Sequence, residues 1–176
     1  EVFDGGSGAR SMSADGRYTL FWSRSATLGY HPDFENVLWF ARDRQLGTTT
    51  ELPQPGPDPS WWDARMSADG AVLAGVTLQD GGTIHVLDRA SLAPVWISAT
   101  LQAGNGSTLS LNGDGTLIAF NGNYAGATTP ADTNAFEDIF IHDRTTDATR
   151  LVTLAVDGSP ANGPSRDPSI SADGQW

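Results

Sequence analysis

The residues of this chain best suited to chemistry are oxygen donors and aromatic rings in segments of irregular composition. Asp132-x-Asn134-x-x-x-Asp138 alternates oxygen ligands along a turn and adds a carboxylate after it, which suits a hard cation such as Ca2+. Glu137 and the carbonyl of Ala135 or Phe136 can add ligands. The pattern departs from an EF-hand loop, because Ala135 stands where the turn prefers glycine and the bidentate glutamate at the twelfth place is missing. An Asx-turn accounts for the same residues, with Asp132 and Asn134 accepting hydrogen bonds from nearby backbone amides ahead of a strand. Ca2+ is the one cofactor the sequence raises, and nothing requires it.

The second group is Tyr30, His31, Trp61, Trp62 and Tyr124, with Phe34 nearby, all in loops of variable length. Exposed Trp and Tyr stack on sugar rings or anchor a protein partner. His31, in a loop, is placed to titrate near neutrality. The competing reading is that the rings plug gaps between packed sheets, and at least one ring of the Trp61–Trp62 pair is expected to be buried. Catalytic constellations are lacking: there is no Gly-x-Ser-x-Gly elbow and no His-Glu-x-x-His. His85 and His142 read as half-buried strand residues. Loop carboxylates Asp33, Glu35, Asp132 and Glu137 could act as a pair on a glycosidic bond only if the fold brings two of them together. No catalytic residue is assigned.

These residues must be positioned by elements that repeat. Ser-Ala-Asp-Gly occurs at 13–16, 67–70 and 171–174, with a looser copy, Asn-Gly-Asp-Gly, at 112–115. Asp-Arg falls between them at Asp43-Arg44, Asp88-Arg89 and Asp143-Arg144. Two interleaved markers returning about every 45–60 residues indicate a repeat architecture. Each unit reads as four strands: a ends at Asp-Gly, b follows it, c ends at Asp-Arg, and d follows a short turn. Asp-Gly between apolar runs predicts a type I′ hairpin turn. The b strands are apolar on both faces, as in Leu117–Phe120, so each sheet must be covered on both sides. Stacked four-stranded antiparallel units describe an all-β fold, a β-propeller, with a β-sandwich as the alternative. The expected blades cover 9–54, 63–99 and 107–155, with a partial fourth over 166–176. Asp43, Asp88 and Asp143 read as turn caps with a local salt bridge to arginine.

Composition narrows the function classes. The net charge of −11, with ten arginines and no lysine, disfavours phosphate backbones and anionic membrane surfaces. Absence of cysteine excludes disulfides and thiol nucleophiles, and no apolar run approaches a membrane span. Ser-Ala-Asp-Gly-Arg-Tyr before an apolar strand, together with Asp132-Thr133-Asn134 and Asp138–Arg144, resembles the WD-like propeller repeat of bacterial TolB-like proteins. The stretch Gly158–Gly174 continues the likeness. The resemblance implies an exported protein, periplasmic or secreted, with a scaffolding or binding role. Three blades and a fraction suggest an excerpt of a larger propeller, or else a homodimer closing a six-bladed ring.

In propellers the a–b and c–d turns share one rim, and the b–c and d–a connections share the other. The second pair carries the length variation here, so ligand or partner binding is expected on that face. The expected partner is a protein, a small molecule or a glycan. The alternative is the propeller of a hydrolase, either carbohydrate-active or gating a serine peptidase whose catalytic domain lies outside this sequence.

Overall fold

In a computed structural model, residues 6–25, 27–28, 37–53, 61–77, 82–98, 108–124 and 126–175 are described. Tyr30, His31, Asp33, Phe34 and Glu35 lie outside them. The described chain forms twelve strands and no helix. The first sheet holds β1 (Ser7–Met12), β2 (Tyr18–Ser23), β3 (Leu38–Asp43) and β4 (Thr48–Glu51). The second holds β5 (Trp61–Met66), β6 (Val72–Thr77), β7 (Thr83–Asp88) and β8 (Pro94–Ile97). The third holds β9 (Leu109–Leu111), β10 (Leu117–Gly122), β11 (Asp138–Asp143) and β12 (Ala148–Leu151). Each sheet is an antiparallel meander in chain order. Three four-stranded blades are expected and three form, but the second opens at Trp61, so Trp61 and Trp62 lie on β5 and not in a loop. Of the fourth, the turn at 171–174 forms, but residues 166–170 form no strand.

Period-two alternation explains the core. One face of blade 2 (Trp61, Met66, Leu73, Leu87) packs on Tyr18, Leu20, Trp39 and Leu52 of blade 1. Its other face (Ala74, Val76, Ile84, Val86) packs on Leu109, Ile118, Phe120 and Phe140 of blade 3. Blade 2 is therefore sandwiched, which is why its central strand is apolar on both sides.

The repeated tetrapeptide does more than turn the chain. Gly16, Gly70, Gly115 and Gly174 have φ near +70°, but the aspartates before them do not adopt positive φ. The turn is thus not the expected type I′. Gly16 N donates to the Ser13 carbonyl (2.9 Å), closing a turn that a left-handed glycine completes. The aspartate keeps negative φ because its carboxylate is held locally: Asp15 Oδ1 accepts from Ser13 Oγ (2.6 Å) and from Arg17 N (2.9 Å). In the looser copy Asn112 replaces the serine and accepts from Leu117 N (2.9 Å), as Ser13 Oγ accepts from Tyr18 N (2.9 Å).

Successive turns also bond to one another. Ala14 N donates to the Ala68 carbonyl (2.6 Å), Asp69 N to the Gly113 carbonyl (3.0 Å) and Gly113 N to the Ala172 carbonyl (2.8 Å). From the second turn onward, the turn glycine rests on strand b of the blade before it. A Cβ on Gly70 would stand 2.7 Å from the Tyr18 ring, and Gly115 and Gly174 meet Val72 and Leu117 equivalently. Gly70→Ala combines a left-handed φ with this clash, so it should destabilise by about 1–3 kcal/mol. Urea unfolding checks this, and a loss below about 0.5 kcal/mol would contradict the packing.

The Asp-Arg marker differs from its expected role. Each arginine reaches across its own blade to the turn-glycine carbonyl, rather than pairing with the aspartate beside it. The pairs are Arg44 Nη1 to Gly16 O (2.8 Å), Arg89 Nε to Gly70 O (2.5 Å) and Arg144 Nη1 to Gly115 O (2.7 Å). The two markers are therefore halves of one contact. The aspartates do cap turns. Asp43 accepts from Gln45 N and Leu46 N and pairs with Arg17 (2.8 Å), and this arginine holds its carboxyl down to about 2. Hydrogen bonds from Thr145 hold Asp143 down to about 2 as well. A carboxyl with a depressed folded pKa stabilises the fold above its unfolded value, and this contribution is lost as pH falls through the folded value. The melting temperature should therefore drop between pH 4 and pH 2. Asp43→Asn should flatten the drop, and an unchanged profile in that variant would contradict the assignment.

Candidate functional site

A cleft of about 560 Å3 opens where the inner strands of the three blades converge. Trp61 begins β5, Trp22 lies near the end of β2, Val37 precedes β3 and Thr108 precedes β9. All four stand at the strand ends remote from the Asp-Gly turns, on the b–c/d–a face. Four tryptophans (22, 39, 61, 62) and three arginines (10, 24, 65) line the cleft with Asp63 and Asp167.

Local packing orients the rings. Trp61 is buried and Trp62 is 45% exposed, as alternation along β5 requires. A Cβ on Gly75 would stand 2.0 Å from the Trp61 ring, so only glycine admits the indole onto β6. Trp39 Nε1 donates to the Trp61 carbonyl (2.9 Å) and Trp61 Nε1 to the Pro53 carbonyl (3.1 Å), which locks both rings. The expectation of one buried ring in the pair holds.

Asp63 is the unusual group. Its side chain is 4% exposed, its Oδ1 is paired with Arg65, and its Oδ2 makes no hydrogen bond of normal geometry with any described residue. Burial pushes its carboxyl up, while the charges of Arg65 and Arg10 and the Leu109 backbone amide pull the other way. Arg10 and Arg24 make no ion pair or side-chain hydrogen bond with any described residue.

The other sequence candidates fall elsewhere. Tyr124 lines a second cavity of about 450 Å3, its ring edge-on to Phe120 at 5.4 Å. His142 lies there too. It is fully buried, not half-buried, and stacked on Trp96 at 4.0 Å between centroids. Asp132, Asn134 and Asp138 are brought together, but by hydrogen bonds. Asp132 Oδ1 accepts from Asn134 N (3.0 Å), and Asn134 Oδ1 accepts from Phe136 N (2.6 Å). That second bond turns the Asn134 NH2 toward Asp138 Oδ2 (2.9 Å) and the Ala161 carbonyl (3.0 Å), so Asn134 presents donors to Asp138. Thr153 Oγ1 donates to Asp138 Oδ1 (2.6 Å). Among the described residues no three His, Cys, Asp or Glu side chains form a metal-holding group. With Asn134 donating to Asp138, the melting temperature should be the same in chelator and in millimolar Ca2+, and a rise of several degrees would support the metal reading. Glu137 is engaged by Arg166 Nε (2.6 Å) and Asn121 Nδ2 (2.5 Å).

Sequence reasoning found Trp61 and Trp62 but not Arg10, Trp22, Trp39, Asp63 or Arg65. One signal was available. Ser11, Ser110 and Ser169 occupy the second position before each marker tetrapeptide, and Arg65 alone breaks that series. Ser11 Oγ accepts from Met66 N (3.0 Å) and Ser110 Oγ from Ile170 N (3.4 Å), so this serine is a link between blades. Arginine at that place in blade 2 faces the cleft instead.

Fold and site together define a β-propeller segment of four-stranded blades, with an arginine- and tryptophan-lined cleft on the variable-loop face. Among solved structures it is similar to TolB from Acinetobacter baumannii, with TM-score 0.65 and 13% identity over 97% of this chain and 36% of that one. A putative TolB from Agrobacterium tumefaciens gives TM-score 0.61 and 20% identity over 98% of this chain and 52% of that one. The tricorn protease gives 0.59 and 13% over 94% of this chain and 14% of its own. The chain thus spans about a third to a half of the TolB chains it matches. No protein-family model and no curated protein matches the sequence. At these identities the likeness is one of fold.

Proposed function

We propose that this segment is a non-catalytic binding module that holds its ligand in the tryptophan–arginine cleft on the b–c/d–a face. The observation that carries the reading is Asp63: a nearly buried carboxylate with one oxygen that has no partner among the described residues, in a cleft where Arg10 and Arg24 also pair with no described residue. Buried polar groups are normally satisfied, and those left open at a concave site are satisfied by what binds there. Its resemblance to TolB-like repeats supports an exported bacterial protein, periplasmic or secreted. The likeness to the tricorn protease keeps one alternative, in which the same face opens toward a peptidase domain elsewhere in a longer protein.

The test is a tryptophan-fluorescence titration with neutral and acidic oligosaccharides and neutral and acidic peptides. At least one class should quench the wild type and fail to quench Trp62→Ala, whose half-exposed ring tolerates removal. A panel without any response would end the reading.

A further inference from the structure

We infer that the cleft takes an acidic sugar, a uronic acid residue of an anionic oligosaccharide; this rests on the binding reading above. Three features of the lining demand three complementary features of the ligand. The first is charge. The chain carries −11 overall, yet among the described lining residues Arg10, Arg24 and Arg65 converge here against Asp63 and Asp167, leaving that lining net positive on an acidic protein. Such a lining selects an anion, and guanidinium forks match a carboxylate in geometry. The second is a donor. Asp63 Oδ2 is buried and has no hydrogen-bond partner among the described residues, and a carboxylate oxygen accepts, so the ligand brings an O–H or N–H to it. The third is a flat apolar face to lie on Trp62, which is 45% exposed, with Trp22 half-buried beside the cleft.

A uronate ring offers all three on one rigid frame: a carboxylate, ring hydroxyls and a C–H face. An acidic peptide offers carboxylates on flexible stems, and ordering those stems opposes binding. A nucleic acid brings many phosphates to a body that repels them. The cleft, at about 560 Å3, is of the size that holds a small ligand rather than a folded partner.

The experiment is calorimetric titration of the full chain with trigalacturonic acid, its fully methyl-esterified form and a glutamate-rich hexapeptide. Trigalacturonic acid should bind, with the ester weaker by about tenfold or more, as expected when a charge-assisted hydrogen bond is lost. Arg10→Gln and Trp62→Ala should each weaken the acid by about tenfold with the melting temperature unchanged, since both side chains are exposed. Equal binding of acid and ester would overturn the inference. So would binding of the hexapeptide with the same Arg10 dependence and none of the sugar, which leaves the binding reading standing. Silence from every member of the wider panel would remove both.

Discussion

Trp39→Ala should lower the unfolding free energy by about 3–5 kcal/mol, the range for truncating a large buried aromatic. Trp39 is 1% exposed and lies in the interface between blades 1 and 2. Two losses combine. The cavity cannot close fully, because the surrounding rings belong to sheets held rigid by their own ladders. The Trp61 carbonyl also loses its indole donor, a hydrogen bond that joins the two blades at this end. Trp39→Phe separates these effects: it keeps much of the volume and removes only the donor, so it should cost about 1–3 kcal/mol. Urea unfolding of the three proteins measures both. If alanine costs less than about 1 kcal/mol, blades 1 and 2 are not packed as described.

Arg65→Ala should cost about 3 kcal/mol, the low end for breaking a buried pair from one side, because Arg65 is 26% exposed and Arg10 stays near. The cost arises from Asp63, left as a buried carboxylate without its cation. Its folded pKa, already raised by burial, rises further. A carboxyl with a folded pKa above its unfolded value binds more protons in the native state, so the penalty is full at high pH and fades as pH falls through the raised value. Unfolding at pH 8 and pH 5 should show a smaller deficit at the lower pH. Adding Asp63→Asn should recover much of the loss at pH 8, because the unpaired charge is gone. If the double variant is no better than Arg65→Ala alone, the charge of Asp63 is not the cause.

Much of the fold was legible because its signals are local. β6 and β10 are apolar on both faces, so they could only be central strands covered twice. The markers stand at turns because a left-handed residue is needed there and glycine supplies it. What they bind was not legible. Arg44 follows Asp43 in the chain, and adjacency suggests a pair, yet β3 ends at Asp43 and Arg44 opens the turn, with its backbone amide bonded to the Arg17 carbonyl beside the Asp-Gly turn. The arginine therefore meets a carbonyl 28 residues earlier. The type I′ assignment failed for a related reason: the Asp15 side chain competes for its own backbone and holds negative φ.

The cleft shows the same division. Trp61 and Trp62 were conspicuous as a pair in a loop-flanked position. Arg10, Trp22, Trp39, Asp63 and Arg65 come from β1, β2, β3 and β5, and no linear pattern joins them. Even the break in the serine series at Arg65 marks a position without naming its neighbours.

The sequence by itself determined the four-strand unit, the order of its strands and the face on which length varies, because hydrophobic period and turn chemistry act within a few residues. Only the tertiary structure decided that a buried carboxylate, three guanidiniums and four indoles share one hollow. That grouping is set by how one blade's inner strand rotates against the next, which depends on side chains far apart in the chain meeting across a twisted interface.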